Sequence, residues 1–117
     1  MKPLQIADLF CGAGGSTTGI QQAVTRMGRT ANVLAINHWD IAIQTHKANN
    51  AGIALCESVE RIDPTKVIPG QDLDLLWASP ACTHHSVARG GRPRCEQQRV
   101  PAWIILHWLE NIRVKRL

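Results

Sequence analysis

The sequence contains no run of ~18 consecutive apolar residues, so no membrane-spanning helix is expected. Its first residues, Met1-Lys2-Pro3-Leu4, lack the long apolar stretch of a secretory signal, and the expected location is intracellular, in the cytoplasm. There is no CxxC pair among the four cysteines, Cys11, Cys56, Cys82 and Cys95. With no signal for export, a disulfide framework is not expected. Cys82, His84, His85 and Cys95 are zinc-type ligands, but adjacent histidines fit poorly on one ion and the paired spacing is missing, so no metal is expected. No internal repeat and no low-complexity segment breaks the 117 residues, a length that suits one small domain.

What is present is an alternation of strand-like and helix-like segments in a chain that is 44% hydrophobic. Leu4 to Phe10 reads as a first strand. Gly15 to Met27 reads as a helix, with Ile20, Ala23, Val24 and Met27 on one face and Gly28 as its stop. Ala31 to Ile36 reads as a second strand, Asp40 to Asn49 as a helix capped by Asp40, and Ile53 to Leu55 as a short third strand. A Pro69-Gly70 turn precedes a fourth strand, Leu73 to Ala78. Val100 to Val114 reads as a long helix, with Pro101 in its first turn and Ile104, Ile105, Trp108, Leu109 and Ile112 recurring along one face. This order predicts an α/β fold, a parallel, doubly wound sheet that is incomplete because a further strand is expected after the last helix.

Two strand ends stand out. Gly12-Ala13-Gly14-Gly15 follows the first strand and opens a helix, where glycines admit a close ligand and helix amides favour a negative group. As a dinucleotide fingerprint it is defective, because Thr17 occupies the place of the third glycine of GxGxxG, which disfavours a nicotinamide oxidoreductase. The second strand runs into Asn37-His38-Trp39-Asp40, where Trp39 can pack against an adenine face or simply cover the sheet edge. The fourth strand ends in Ser79-Pro80-Ala81-Cys82, placing a thiol where open α/β sheets bind their ligands. His84, His85, Arg89 and Arg92 are the nearby groups able to favour its thiolate. The net charge of +4 is uneven, with Arg89, Arg92, Arg94 and Arg99 beside this loop, which suits a phosphate-rich substrate or a solvated loop.

Taken together, these loops resemble the DNA cytosine-5 methyltransferase family. Asp8-Leu9-Phe10-Cys11-Gly12-Ala13-Gly14-Gly15 looks like its S-adenosylmethionine loop, Asn37-His38-Trp39-Asp40 like its second motif, and Ser79-Pro80-Ala81-Cys82, through Ser86, like its Pro-Cys motif. The order agrees, with Cys82 standing 70 positions after Gly12, and the wording of the third motif looks closest to phage-type members. The resemblance implies a Rossmann-like, S-adenosylmethionine-dependent methyltransferase acting on double-stranded DNA in a bacterial or phage-infected cell. Cys82 would be the catalytic nucleophile. Phe10, Gly12, Gly14, Gly15, Trp39, Ser58 and Pro80 would hold S-adenosyl-L-methionine, and Ser86, Arg89 and Arg92 would meet DNA.

The departures from the family pattern are specific. Ala81 stands where the family usually has Pro directly before the Cys. His38 replaces the acidic residue that usually holds the ribose hydroxyls, and Asp40, on the helix side, does not inherit that role. The third motif falls around Glu57-Ser58-Val59, where Glu57 or Ser58 would meet the adenine. The family's Gln-x-Arg-x-Arg stretch and target-recognition region are missing. Glu110-Asn111-Ile112 imitates the Glu-Asn-Val motif, but it lies only 28 residues after Cys82 and on helical periodicity, so it is read as a chance likeness. The expectation is therefore the N-terminal part of a catalytic domain, inactive alone and completed by a C-terminal polypeptide. A non-enzymatic remnant, one part of a split enzyme, and an RNA cytosine methyltransferase are the alternatives.

Overall fold

The computed structural model describes residues 1–80 and 100–117. Four parallel strands form the sheet in the order β3-β2-β1-β5: β1 (Leu4–Leu9), β2 (Ala31–Asn37), β3 (Ile53–Cys56) and β5 (Leu75–Ala78). Helix α1 (Gly15–Arg26) joins β1 to β2, and α2 (Asp40–Asn49) joins β2 to β3. Central parallel strands are covered on both faces and read as continuous apolar runs. Accordingly Ile6, Ala7, Asp8 and Leu9 of β1 are all buried. Ile6 packs with Val33 and with Ile20 and Val24 of α1, on one side of the sheet. Ala7 and Leu9 join Ile36, Leu76, Trp108 and Ile112 in the larger core.

Strand β1 stops at Leu9 rather than at the expected Phe10, because Phe10 adopts φ 59° and cannot continue the pleat. On α1 the expected stop is present: Gly28 takes φ 69° just past the end. Of the face predicted for this helix, Ile20 and Val24 are buried, whereas Ala23 and Met27 are exposed. The capping of α2 differs from expectation. Trp39 occupies the cap position without a side-chain bond, and Asp40 is the first helical residue, accepting instead from Gln44 Nε2 at 2.8 Å.

The segment between β3 and β5 is richer than its single expected turn. A 3₁₀ turn at Val59–Arg61, a short helix α3 (Pro64–Val67) capped by Asp63, and a second 3₁₀ turn at Pro69–Gln71 carry Val59, Ile62 and Ile68 into the core. The expected strand Leu73–Ala78 is two strands, β4 (Asp72–Leu73) and β5, broken at Asp74. The Asp74 carboxylate accepts from the Gln5 backbone N–H at 2.8 Å and from Lys115 Nζ at 3.0 Å. A side chain that captures a ladder donor interrupts the ladder.

The last helix is also shorter than expected. Helix α4 (Val100–Asn111) ends before Ile112, and β6 (Arg113–Val114) pairs in parallel with β4. The tail continues beside β5: Lys115 N–H donates to Leu73 O at 3.0 Å and Leu76 N–H to Arg116 O at 2.9 Å. A strand after the last helix, expected to be missing, is thus present as β6. Arg113 pairs with Asp72 and Lys115 with Asp74, each at 3.0 Å, while Val114 between them packs against the core. Trp108 and Ile112 are buried as the helix periodicity predicts, and Ile104 and Leu109 pack alongside. Glu110 and Asn111 lie in the last turn of α4, not at a strand end.

A candidate cofactor cleft at the carboxyl ends of the strands

The carboxyl ends of β1, β2 and β5 open on one edge of the sheet, the place where such folds bind ligands. At β1 the chain passes through three left-handed residues in quick succession, Phe10 (φ 59°), Gly12 (φ 59°) and Gly14 (φ 109°), before α1 begins at Gly15. A left-handed Phe costs on the order of 1–2 kcal/mol relative to a glycine there, so the turn is held by its surroundings. One restraint is the Cys11 N–H, which continues the β1–β2 ladder by donating to Ile36 O at 3.0 Å. A Cβ at Gly12 or Gly15 would meet nothing within 4 Å, whereas one at Gly14 would lie 2.5 Å from Asn50 Nδ2 and 3.0 Å from His46 Cδ2. The loop is thus packed tightly against α2 at Gly14 and open at Gly12. No side chain caps the backbone amides of the first turn of α1, and no acidic residue stands in that turn.

Behind this loop lies a buried polar cluster that sequence reasoning missed. Asp8 is fully buried and its Oδ2 accepts from Ser16 Oγ at 2.7 Å and Thr17 Oγ1 at 2.6 Å. Thr17 Oγ1 also lies 2.9 Å from His46 Nε2. Burial pushes the Asp8 carboxyl up, against the lowering effect of the two hydroxyls and of His46. Burial also lowers the His46 pKa, partly countered by the Asp8 charge. A signal was available: an Asp inside a strand covered on both faces must find partners, and Ser16 and Thr17 open the next helix.

Cys11 is buried, and desolvation together with the Asp8 charge pushes its thiol up to about 11. It is therefore a packed residue and not a nucleophile at neutral pH.

At the neighbouring strand ends, Asn37 Oδ1 accepts from the Trp39 N–H at 3.3 Å, and Asn37 O accepts from the Glu57 N–H at 2.9 Å. Ser58 Oγ donates to Glu60 Oε1 at 3.0 Å. Phe10, His38, Ser58 and Glu60 line one cleft of about 180 Å³, with Pro101 and Ile104 of α4 as its far wall. Phe10 and Ser58, singled out by the sequence, therefore meet in one cleft, while Trp39 stands 59% exposed outside its lining and Glu57 also lies outside it. The α4 wall was not foreseen.

Pro80, half-buried, follows β5. The Ser79 N–H donates to Leu9 O at 3.2 Å, and Ala78 is the register partner of Leu9. The end of β5 thus lies directly beside the start of the glycine loop. Cys82, Ser86, Arg89 and Arg92, and the zinc-type candidates His84, His85 and Cys95, lie outside the described residues. Among the described residues, no group of three or more His, Cys, Asp or Glu side chains is placed to hold a metal, and no helix is long and apolar enough to cross a membrane.

Residues 4–104 match the family described as C-5 cytosine-specific DNA methylase. The Type II methyltransferase M.AgeI of Thalassovita gelatinovora is 38% identical over 87 residues, an alignment covering 68% of this chain and 19% of that protein. The chain thus spans about a fifth of the length of this curated relative. Two solved structures of the plantazolicin methyltransferase BpumL share the fold. One, in complex with SAH, has a TM-score of 0.63 at 15% identity, covering 95% of this chain and 35% of that one. The other, in complex with SAH and a pentazolic desmethylPZN analog, has a TM-score of 0.53 at 13% identity, covering 92% and 51%. The architecture is that of a Rossmann-like methyltransferase, and the chain belongs to the family of C-5 cytosine-specific DNA methylases.

Proposed function

We propose that this chain is the N-terminal, cofactor-binding part of the catalytic domain of a DNA cytosine-5 methyltransferase, using S-adenosyl-L-methionine to methylate C5 of cytosine in double-stranded DNA. The observation that carries this reading is the adjacency of the two strand ends: the glycine loop after β1 and the Ser79-Pro80 turn after β5 are joined by the Ser79–Leu9 hydrogen bond. A cofactor loop and a thiol loop on neighbouring strands are what methyl transfer to an activated carbon requires.

The donor set suits the cofactor. Gly12 leaves space on the ligand side, the uncapped first turn of α1 favours a carboxylate, and the Phe10–Ser58 cleft offers an apolar wall and a polar rim for a base. Gly12, Gly14 and Gly15 would shape the loop around the cofactor, and Phe10, Ser58, Pro80 and Trp39 would hold it. The cofactor, when bound, supplies an electrophilic methyl group.

The target base is flipped from the duplex. The Cys82 thiolate adds to C6 of the ring and makes C5 nucleophilic; bound S-adenosylmethionine would supply the methyl group to C5 and leave as S-adenosylhomocysteine. Loss of the C5 proton to a base then expels the thiolate, restores the ring and leaves 5-methylcytosine. Ser86, Arg89 and Arg92 would meet the DNA; phosphate contacts of this kind position DNA without reading sequence.

Completion by a C-terminal polypeptide belongs to the same proposal. An apolar groove of about 740 Å³ between α1 and β5, lined by Leu4, Ala23, Met27, Leu75 and Trp77, is a surface that such a segment would cover. The chain alone is then inactive, and labelled methyl groups appearing in DNA with this chain alone would overturn that part. Cofactor binding is the direct test: calorimetry with S-adenosylhomocysteine is expected to show one saturable site, and no binding would remove the reading. In a completed enzyme, Cys82→Ser is expected to abolish covalent trapping on 5-fluorocytosine DNA. An adduct that persists would assign the nucleophile elsewhere.

A further inference from the structure

We infer that His46 of α2 is a positioning residue for the cofactor loop: acting through the Thr17 hydroxyl, it locks the first turn of α1 and holds the glycine loop in its open form. This rests on the reading of that loop as the cofactor site.

The hydrogen positions follow from counting donors. The Asp8 carboxylate accepts, so the hydroxyl protons of Ser16 and Thr17 both point to its Oδ2. Thr17 Oγ1 is then an acceptor toward His46, and Nε2 of the imidazole must carry the proton. The chain of donors runs His46 to Thr17 to Asp8, linking α2, α1 and β1 through three side chains that are 2%, 0% and 0% exposed. Both outer ends are constrained, because His46 Nδ1 and Asp8 Oδ1 are buried without a hydrogen-bond partner. A second proton on His46 would have no acceptor at Nδ1, so the site selects the neutral Nε2–H tautomer. Cys11, the other titratable group packed here, is un-ionised at neutral pH and adds no charge.

The same helix reaches the loop a second way. His46 and Asn50 lie against Gly14, leaving no room for a Cβ, and Asn50 Oδ1 accepts from Thr18 Oγ1 at 2.9 Å. One turn of α2 therefore braces Gly14, Thr17 and Thr18 from behind, while Gly12 faces open space in front. A loop with left-handed residues at positions 10, 12 and 14 has no regular ladder of its own, so this outside brace fixes its shape.

The test compares His46→Leu, which removes the donor at similar bulk, with His46→Gln, whose side-chain amide can again donate to Thr17. Amide hydrogen exchange at Thr18, whose N–H donates to Gly14 O at 2.8 Å, is read against exchange at Ala7 and Leu9 in β1, alongside calorimetric affinity for S-adenosylhomocysteine. His46→Leu is expected to speed exchange in the loop about tenfold more than in β1 and to weaken binding about tenfold, the scale of one buried hydrogen bond. His46→Gln is expected to recover most of both. Loop and β1 exchange rising together, or His46→Gln behaving like His46→Leu, would reduce His46 to ordinary packing and overturn the inference. If His46→Leu does not fold, Thr17→Val takes its place, and wild-type loop exchange in that variant overturns the inference equally. Failure of the wild-type chain to bind S-adenosylhomocysteine would count against the methyltransferase reading, while the exchange comparison still decides the role of His46.

Discussion

Asn50 Nδ2 lies 2.5 Å from the point where a Cβ on Gly14 would stand, whereas the same atom added to Gly12 would meet nothing within 4 Å. Two glycines of one loop therefore serve different ends, and substitution separates them. Gly14→Ala combines a φ of 109° with a steric conflict and is expected to lower stability by about 2–4 kcal/mol, read as a fall in the urea midpoint. Gly12→Ala, at φ 59°, is expected to cost only about 1 kcal/mol of stability yet to abolish S-adenosylhomocysteine binding, because its methyl group fills ligand space. Equal effects of the two on both readouts would contradict this division.

Cys11, buried with Ala35, Ile43 and Ala54 just after β1, is expected to resist modification. With its thiol pushed up to about 11, on the order of one molecule in ten thousand carries the thiolate at pH 7. Iodoacetamide treatment of the folded protein followed by peptide mass spectrometry should leave Cys11 unmodified while exposed Cys56 reacts. Labelling of Cys11 at the rate of Cys56 would show that the loop opens.

The buried histidine gives stability a pH dependence of definite sign. The His46 pKa is lowered in the folded chain, so below 6.5 the unfolded chain takes up a proton that the folded one refuses. This contribution is full above 6.5 and is lost as pH falls through 6.5 toward the lowered value. Asp8 acts oppositely: its raised carboxyl adds stability in acid, which declines as pH rises from 3.8 through the raised value. Urea midpoints from pH 8 to pH 5 should therefore fall more steeply in the wild type than in His46→Gln, and parallel slopes would refute the assignment.

Asp74 joins β1 to the tail, and its removal should be felt at both. Asp74→Ala gives up the bonds from the Gln5 N–H and Lys115 Nζ, at an expected cost of about 1–3 kcal/mol. Those same two donors lower the pKa of its carboxyl, so the contribution is present above 3.8 and is lost as pH falls through the lowered value. Faster amide exchange at Leu76 and Lys115, measured by NMR, should accompany the loss. Unchanged exchange there would mean that the tail is held without Asp74.

The regions legible from sequence were those whose determinants are local. Apolar runs gave β1, β2 and β3, and the glycines following Phe10 marked the turn into α1. Strand β4 was fused with β5 because the break depends on Asp74 meeting Gln5 and Lys115, residues 69 and 41 positions away. Strand β6 was absorbed into the last helix because Ile112 continues that helix's apolar stripe, and only pairing with β4 shows where the helix stops. In the site, Gly12 and Gly14 were legible as turn glycines and both take positive φ, whereas Gly15 simply opens α1. His46 was not, since its link to Thr17 spans 29 positions and a histidine on a helix face carries no mark of its partner. Thr17, read as a flaw in a glycine fingerprint, proves to be the middle of a buried relay.

The hydrogen bond from Leu76 to Arg116 gives the C-terminus a mechanical bearing on the far end of the sheet. Strand β5 is gripped on one side by β1 and on the other by the returning tail, and it leads directly into Ser79 and Pro80. Breaking the Leu76–Arg116 pairing would release that outer grip. The loosened edge would be the one that sets Ser79 beside Leu9, so the rim of the candidate cleft depends on backbone pairing made by residues near Arg116.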